Sequence, residues 1–208
     1  MRVGIVGAGR IGEAVAARLV TGGHEVMLAN SRGPETLADL EQSLGQNAQA
    51  GTIEQAIGFG EVVVVAIPLH AIDALPADQM AGHIVIDANN YYPGRDGEIA
   101  QLDTGELGSS ELLAKRLSGA RVVKAFNTMN FERLRDSGRP HGARERLAIP
   151  LAGDDASAKQ SVSQLIDDMG FDPVDAGTLS DGRRQQPGTP VYGQLLDAEG
   201  ARRALDET

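Results

Sequence analysis

The start of the chain joins an apolar strand to a glycine pattern, and no other segment constrains the fold as strongly. Residues 3–12 read V-G-I-V-G-A-G-R-I-G, with glycines in the spacing G-x-G-x-x-G. The first glycine allows a tight turn, the second lets the backbone approach a pyrophosphate, and the third lets the helix pack against the strand. A purely structural strand-turn-helix is the alternative. We expect a dinucleotide site whose ligands include Gly7, Ala8, Gly9, Arg10, Ile11 and Gly12.

Further apolar segments alternate with helical patterns, which is typical of a parallel sheet covered on both faces. Strands are predicted at residues 3–6, 25–29, 62–67, 84–87, 122–126, 148–151 and 172–175. Helices are predicted at residues 10–21, 35–44, 53–57, 71–75, 110–117, 131–135, 156–169 and 198–205. We therefore expect an α/β doubly wound parallel sheet of the Rossmann type. It forms a single domain over residues 1–208, with a small C-terminal extension, or arm, from about residue 180.

The composition disfavours several classes of function. The 208 residues contain no cysteine, which excludes disulfides, thiolate nucleophiles and cysteine-ligated metals. A net charge of −10 and an aromatic content of 3% disfavour nucleic-acid binding. No apolar run approaches the ~20 residues that span a bilayer, and no signal-peptide pattern opens the chain. The sequence favours a cytoplasmic protein without nucleic-acid or membrane partners. Asp154 and Asp155 are expected to cap a helix rather than hold a metal, and no metal site is predicted.

The end of the second predicted strand indicates which dinucleotide binds. NAD-binding versions of this unit carry an acid about 20 residues after the glycines, where it bonds the ribose hydroxyls. This chain has Asn30, Ser31 and Arg32 there instead. A 2′-phosphate needs cationic, fork-like donors, and a carboxylate would repel it. The segment therefore favours NADP(H), although a strand-end turn with a solvated arginine is the alternative.

Two later strand ends carry candidates for the nicotinamide end. Residues 61–70 read E-V-V-V-V-A-I-P-L-H, so Ile67, Pro68 and His70 follow a buried strand. His70 either contacts the cofactor or merely begins the next helix. Residues 124–130 read K-A-F-N-T-M-N, and Ala125 and Asn127 are candidates because strand-end amides suit the carboxamide or a second ring. Lys124, within that strand, is expected to form a structural ion pair.

Taken together, the motifs resemble one family, that of the deazaflavin (coenzyme F-420)-dependent NADP oxidoreductases, whose fold also forms the cytosolic domain of the STEAP metalloreductases. The resemblance covers residues 1–180 and rests on G-I-V-G-A-G-R-I-G at 4–12, N-S-R at 30–32, A-I-P-L-H-A-I at 66–72, V-V-K-A-F-N-T at 122–128, I-P-L-A-G-D-D at 149–155 and D-A-G at 175–177. It implies NADP(H) at residues 7–12 and 31–32, a second ring stacked on the nicotinamide, and a homodimer.

The resemblance implies hydride transfer between NADP(H) and deazaflavin or flavin, for which proximity does much of the work and no protein acid is essential. No catalytic residue is assigned. After Ser180 the chain departs from the family and reads R-R-Q-Q-P-G-T-P-V-Y at 183–192, so a small organic acceptor is also considered. Arg183, Arg184, Gln185 and Tyr192 are candidate acceptor contacts, unless this segment is an interface arm or a surface tail. The pocket for the second ring is expected to be built from residues 89–93 and 127–130 and from this tail. The alternatives are a redox-sensing module without turnover and a flavin-mediated ferric reductase.

Overall fold

The computed structural model describes residues 1–207, and eight strands lie within them. Thr208, which ends the predicted domain, lies outside the described residues. The strands are β1 (Arg2–Val6), β2 (Glu25–Ala29), β3 (Ala48–Ala50), β4 (Val62–Val65), β5 (Ile84–Asp87), β6 (Arg121–Lys124), β7 (Ala148–Gly153) and β8 (Asp172–Asp175).

Ten α-helices and three short 3-10 helices connect these strands within residues 1–207. The helices are α1 (Arg10–Thr21), α2 (Ala38–Leu44), α3 (Ile53–Phe59), α4 (Ala77–Met80), α5 (Pro93–Asp96), α6 (Ala100–Asp103), α7 (Ser109–Arg116), α8 (Phe131–Asp136), α9 (Ala156–Asp168) and α10 (Ala198–Asp206). The 3-10 helices are Pro34–Leu37, Leu69–Ala74 and Ser180–Gln185.

The strands form one sheet in the order β3-β2-β1-β4-β5-β6-β7-β8, so the predicted α/β class is confirmed. The pairs from β3 to β6 are parallel, whereas β7 runs antiparallel to β6 and β8 is parallel to β7. The sheet is therefore mostly parallel rather than wholly so. The strand order reverses between β1 and β4, and open α/β sheets bind ligands at the carboxyl ends of strands beside such a switch point.

Both faces of the sheet are covered, which explains why its central strands read as unbroken apolar runs. The four valines of β4 are each at most 1% exposed, although alternate side chains point to opposite faces. Val62 and Val64 pack with α1 and α9 residues such as Leu19 and Leu165. Val63 and Val65 belong to the opposite core, which includes α7 residues. Burial on both sides holds the carboxyl edge of the sheet rigid.

Candidate functional site

The three glycines of the loop after β1 lie in three different structural environments. Gly7 has φ +108°, and a Cβ there would overlap the carbonyl oxygen of Ala66. A Cβ on Gly12 would overlap the carbonyl oxygen of Gly7, so this glycine allows α1 to pack closely on the loop. A Cβ on Gly9 would meet no protein atom within 4 Å. The fold itself therefore does not need a glycine at position 9, and the open space beside it suits a ligand.

The start of α1 adds hydrogen-bond donors beside that space. Gly9 is the N-cap residue of this 12-residue helix, and no side chain caps it. The first N–H groups of an α-helix have no intrahelical acceptor and carry partial positive charge, which favours a pyrophosphate. The loop and the helix start therefore offer open space and hydrogen-bond donors that suit a pyrophosphate.

A pocket of about 310 Å³ continues from the loop along the end of β2. Asn30, Ser31 and Arg32 line it, together with apolar residues such as Ile53 and Leu75. The Asn30 side chain shapes the turn, because its Oδ1 accepts from the Arg32 backbone N–H at 2.9 Å. Within residues 1–207 the Arg32 guanidinium has no hydrogen bond or ion pair. The Arg32 guanidinium is therefore free to bind an anionic group in this pocket, at the end of β2.

A larger cleft of about 750 Å³ lies at the carboxyl ends of β4, β5 and β6. It shares Gly9, Ala66, Ile67 and Pro68 with the smaller pocket, so the two form one continuous groove. Segments 88–95 and 127–133 and the C-terminal stretch 192–195 meet in its lining. The lining residues are Gly9, Arg10, Ile11, Ala66, Ile67, Pro68, Ala88, Asn89, Asn90, Tyr92, Arg95, Asn127, Thr128, Met129, Asn130, Phe131, Arg133, Tyr192, Gly193 and Leu195.

A buried polar network supports the floor of the cleft. Lys124 and Asp87 are at most 1% exposed, and their Nζ and Oδ2 atoms lie 3.9 Å apart, which is the ion pair that the sequence predicts. Ser110 Oγ donates to Asp87 Oδ2 at 2.5 Å, and Lys124 Nζ donates to the carbonyl oxygen of Asn89 at 3.2 Å. Burial lowers the pKa of Lys124, while the Asp87 carboxylate opposes this effect. The network fixes the backbone that leads into the cleft.

The rim of the cleft is held by a second set of polar contacts. The Tyr92 and Tyr192 hydroxyls are hydrogen bonded to each other across 100 positions of sequence. Burial and this hydrogen bond raise the pKa of Tyr192, so its hydroxyl stays protonated. Asp96 accepts from Arg95, from the Tyr92 N–H and from His70. Burial raises the pKa of Asp96, but these hydrogen bonds outweigh it and the net shift is downward.

The predicted site residues fall into two groups. Eleven of them line the groove within residues 1–207: Gly7, Ala8, Gly9, Arg10, Ile11, Asn30, Ser31, Arg32, Ile67, Pro68 and Asn127. Gly12 acts through packing. The structure does not place His70 in the groove, since it lies in the 3-10 helix Leu69–Ala74 with Nδ1 3.1 Å from Asp96 Oδ1. Ala125 is fully buried and does not line the groove.

The candidate acceptor contacts need correction. Arg183 pairs with Glu111 at 3.0 Å, and Arg184 donates to the carbonyl oxygen of Ala176. Gln185 is fully buried and, like these two arginines, is absent from the cleft lining. Of the four candidates, only Tyr192 lines the cleft.

The sequence assigned residues 89–93 and 127–130 to a second-ring pocket as whole segments, without separate roles for Asn89, Asn90, Tyr92 and Met129, which line the cleft. Arg133 also lines the cleft, but it lies beyond these segments and carried no signal in the sequence. Phe126, with φ +66°, turns the chain just before Asn127, and strained backbone of this kind clusters at functional sites.

The fold and the glycine loop define the class, which is that of Rossmann-type dinucleotide-binding proteins. The sequence model of the family described as NADP oxidoreductase, coenzyme F420-dependent, matches residues 2–91. A proposed F420-dependent NADP reductase from Arthrobacter sp. FB24 is 26% identical, with a TM-score of 0.74 over 88% of this chain and 87% of that one. Residues 2–91 thus carry the sequence pattern of this family of NADP-dependent oxidoreductases, and the fold over most of the chain is similar to that of the Arthrobacter protein.

Two further relatives cover nearly the whole chain. A hypothetical protein from Sinorhizobium meliloti is 33% identical, with a TM-score of 0.79 and coverage of 94% of each chain. The metalloreductase STEAP3 of Rattus norvegicus is 35% identical over 184 residues, which are 88% of this chain and 35% of that protein. The chain thus spans little more than a third of the curated relatives it matches, with shares of 35%, 39% and 34%. No helix within residues 1–207 has the length and apolar character needed to cross a membrane.

The cofactor that the family implies is NADP(H), and the groove fits it. The space at Gly9 and the free N–H groups of α1 suit the pyrophosphate, and the unpaired Arg32 guanidinium suits a 2′-phosphate.

Proposed function

We propose that this protein is an NADPH-dependent oxidoreductase that moves a hydride between NADP(H) and a second redox cofactor, deazaflavin or flavin, bound in the same cleft. The observation that carries this proposal is the 750 Å³ cleft that continues the dinucleotide groove past the ends of β4 to β6. Apolar side chains on its walls, such as Ile11, Met129 and Phe131, suit the faces of a flat ring.

Different residues of the groove bind different parts of NADP(H). Residues 7–12 hold the pyrophosphate, and Ser31 and Arg32 hold the 2′-phosphate. Ile67 and Pro68 support the nicotinamide ring, and Asn127 supplies a polar contact to it. When bound, NADPH supplies the hydride. These residues hold the donor carbon and the acceptor ring close together and keep water away, and this positioning accounts for much of the acceleration.

The lining of the cleft agrees with chemistry that needs no strong protein acid. The lining residues described by the structure include no Asp, Glu, His or Lys. Its ionisable side chains are three arginines and two tyrosines, and the pKa of Tyr192 is raised. A hydride acceptor that requires general acid catalysis would therefore take its proton from a tyrosine hydroxyl or from solvent.

Flavin-mediated ferric reduction is the second candidate function. It is favoured by the identity of 35% with a rat protein named as a metalloreductase, STEAP3. In this case flavin in the cleft would pass electrons onward to a ferric chelate. The visible absorption spectrum of the purified protein tests this candidate, because a retained flavin would show its own bands.

An NADPH-oxidation screen tests the proposal against a redox-sensing module without turnover. Purified protein is mixed with NADPH and, in separate reactions, with deazaflavin, flavins and ferric chelates, while calorimetry measures NADP⁺ binding. We expect oxidation with deazaflavin or a flavin. Tight NADP⁺ binding without oxidation of NADPH by any acceptor would instead favour the sensing module.

A homodimer and a cytoplasmic location also belong to this proposal. The dimer is supported by the family resemblance, and the location by a cysteine-free composition. Light scattering of the purified protein and fractionation of cells that express it are the corresponding measurements.

A further inference from the structure

The cleft is lined by cations, although the protein as a whole is acidic. Arg10, Arg95 and Arg133 belong to the lining, and none of the lining residues that the structure describes is an Asp or a Glu. The whole chain carries a formal net charge of −10. A cleft lined by one sign of charge focuses the electric field and attracts ligands of the opposite sign. The cleft therefore favours anionic ligands that most of this acidic surface would repel.

One of the three arginines already has a counterion. Arg95 donates to both carboxylate oxygens of Asp96, at 3.0 Å and 2.8 Å, and the Asp96 side chain is fully buried. A guanidinium held in this bidentate way is fixed in place, and its charge is largely compensated. Arg95 therefore shapes the rim of the cleft and adds little to its attraction for an anion.

The side chain of Arg133 has no such partner. Arg133 is an exposed residue of α8, and within residues 1–207 its guanidinium forms no hydrogen bond or ion pair. Asp136, three positions further along the same helix, pairs with Arg135 at 2.7 Å instead. Only the backbone of Arg133 is engaged, because its N–H donates to the capping side chain of Asn130 at 2.9 Å. The charge of Arg133 is thus left for a ligand.

Arg10 places a second cation on the same side of the cleft. Its guanidinium stacks over the ring of Phe131 at 5.1 Å, and Phe131 begins α8 two positions before Arg133. Arg10 is exposed and, within residues 1–207, forms no ion pair. Both arginines line the cleft, and neither lines the smaller pocket along the end of β2. The two cations therefore lie in the half of the groove that the proposed function gives to the acceptor.

We propose that the acceptor carries a phosphate ester on its side chain, which Arg133 and Arg10 bind at the opening of the cleft. The planar fork of a guanidinium matches the oxygens of a phosphate. This inference rests on the proposed function and deepens it, because it names the class of acceptor: a phosphorylated flavin or deazaflavin rather than the uncharged form. The apolar walls take the ring, and the exposed arginines take the charged end.

The dinucleotide is a second source of the same chemistry. Its pyrophosphate is also anionic, and Arg10 directly follows Gly9 of the glycine loop. Measurements of NADP⁺ binding therefore have to accompany those on the acceptor.

The test compares acceptors that share a ring and differ only in the phosphate. NADPH oxidation is measured with riboflavin and its phosphate ester, FMN, and with the 5-deaza forms of both. We expect the native protein to show a KM about tenfold lower for the phosphorylated member of a pair, because hydrogen bonds to charged groups are among the stronger ones.

Arg133→Ala should remove most of this preference by raising the KM for the phosphorylated acceptor. The KM for the uncharged acceptor and both kcat values should stay as they are. Arg10→Ala should act in the same direction, and calorimetry should give an NADP⁺ affinity close to the native one for both variants. Arg133→Lys keeps the charge without the fork and should retain part of the preference.

Arg202→Ala is the matched control, since it removes the same charge from an exposed position on α10, outside the cleft lining. Its preference should equal that of the native protein. A rise in ionic strength from about 0.01 M to about 0.15 M shortens the Debye length from about 30 Å to about 8 Å. This rise should reduce the preference of the native protein and have little effect on that of Arg133→Ala.

Two results would overturn the inference and leave the proposed function standing. One is an equal KM for both members of each pair in the native protein. The other is a loss of NADP⁺ affinity in Arg133→Ala and Arg10→Ala as large as the loss of acceptor preference, which would assign the two cations to the dinucleotide.

Failure of the proposed function gives a different result, which is no oxidation of NADPH with any of the four acceptors. Fluorescence titration with FMN and riboflavin then still decides whether the cleft prefers the phosphate. Equal affinities would overturn the inference, and tighter binding of FMN that Arg133→Ala abolishes would support it.

Discussion

The Arg32 side chain shows how a role can be inferred from an absence of internal contacts. Most cations that the structure describes near the groove have partners, as in the contact of Arg95 with Asp96 and the stacking of Arg10 over Phe131 at 5.1 Å. Arg32 lines the smaller pocket without such a partner. A guanidinium matches the geometry of a phosphate and would recognise the group that distinguishes NADPH from NADH.

Arg32→Ala should therefore weaken NADPH binding far more than NADH binding. Hydrogen bonds to charged groups contribute about 1.5–3 kcal/mol, so we expect a loss of about tenfold to a hundredfold for NADPH. Calorimetry with both nucleotides gives the ratio of affinities. Arg202→Ala, an exposed position on α10, is the control and should leave the ratio unchanged. Equal losses for both nucleotides would remove the phosphate role from Arg32.

At single residues, the sequence is most informative where the backbone geometry requires a glycine. Gly7 and Gly12 each answer a local steric requirement of the fold, whereas a Cβ on Gly9 would meet no protein atom. His70 could not be placed, since its partner Asp96 lies 26 positions away and no local pattern links the two.

At the scale of elements, the sequence predicted long and strongly patterned segments well. Helix α1 has the predicted bounds, and its hydrophobic periodicity and the glycines that follow explain why. Strand β3 was missed because its three residues, A-Q-A, carry no strand pattern. The antiparallel direction of β7 was also missed, since alternation and burial are the same for either direction. The segment 89–108, in which no helix or strand was predicted, contains the short helices α5 and α6.

The environments of the three glycines in the loop between β1 and α1 lead to a prediction that alanine substitutions at all three positions test together. Gly9→Ala should leave the melting temperature close to that of the native protein, because the new Cβ meets no atom and the backbone, at φ −92°, suits alanine. It should nonetheless weaken NADP⁺ binding strongly, because the Cβ occupies the space for the pyrophosphate. Gly7→Ala and Gly12→Ala should instead destabilise the fold by about 1–3 kcal/mol or more, through strain or overlap with backbone.

Thermal melting and calorimetry on the same three variants separate these outcomes. A Gly9→Ala protein that binds NADP⁺ as the native protein does would show that the ligand does not approach this loop. A Gly9→Ala protein that melts as early as the Gly7→Ala variant would show that the glycine is structural.

At the scale of the whole molecule, the C-terminal segment closes the cleft against distant parts of the chain. The Gly193 N–H donates to the carbonyl oxygen of Thr128 at 2.8 Å, and Gln186 Oε1 accepts from the Ser109 N–H at 2.9 Å. The Tyr92–Tyr192 hydrogen bond completes these contacts at the rim. The sequence predicted an extension from about residue 180 but could not predict its packing, because polar, proline-containing segments give no periodic signal.

The Tyr92–Tyr192 contact predicts an energetic coupling between the two halves of the cleft. Tyr92→Phe and Tyr192→Phe each remove one hydroxyl of the pair, so the double variant should lose less stability than the sum of the two. A single neutral hydrogen bond suggests a coupling of about 0.5–1.5 kcal/mol, measured from urea unfolding of the four proteins. Tyr91→Phe combined with Tyr192→Phe is the matched control, because the Tyr91 hydroxyl bonds Asp103 within its own loop, and these effects should add. Additivity in both cycles, within about 0.3–0.5 kcal/mol, would mean that the rim contact does not join the C-terminal segment to the cleft in solution.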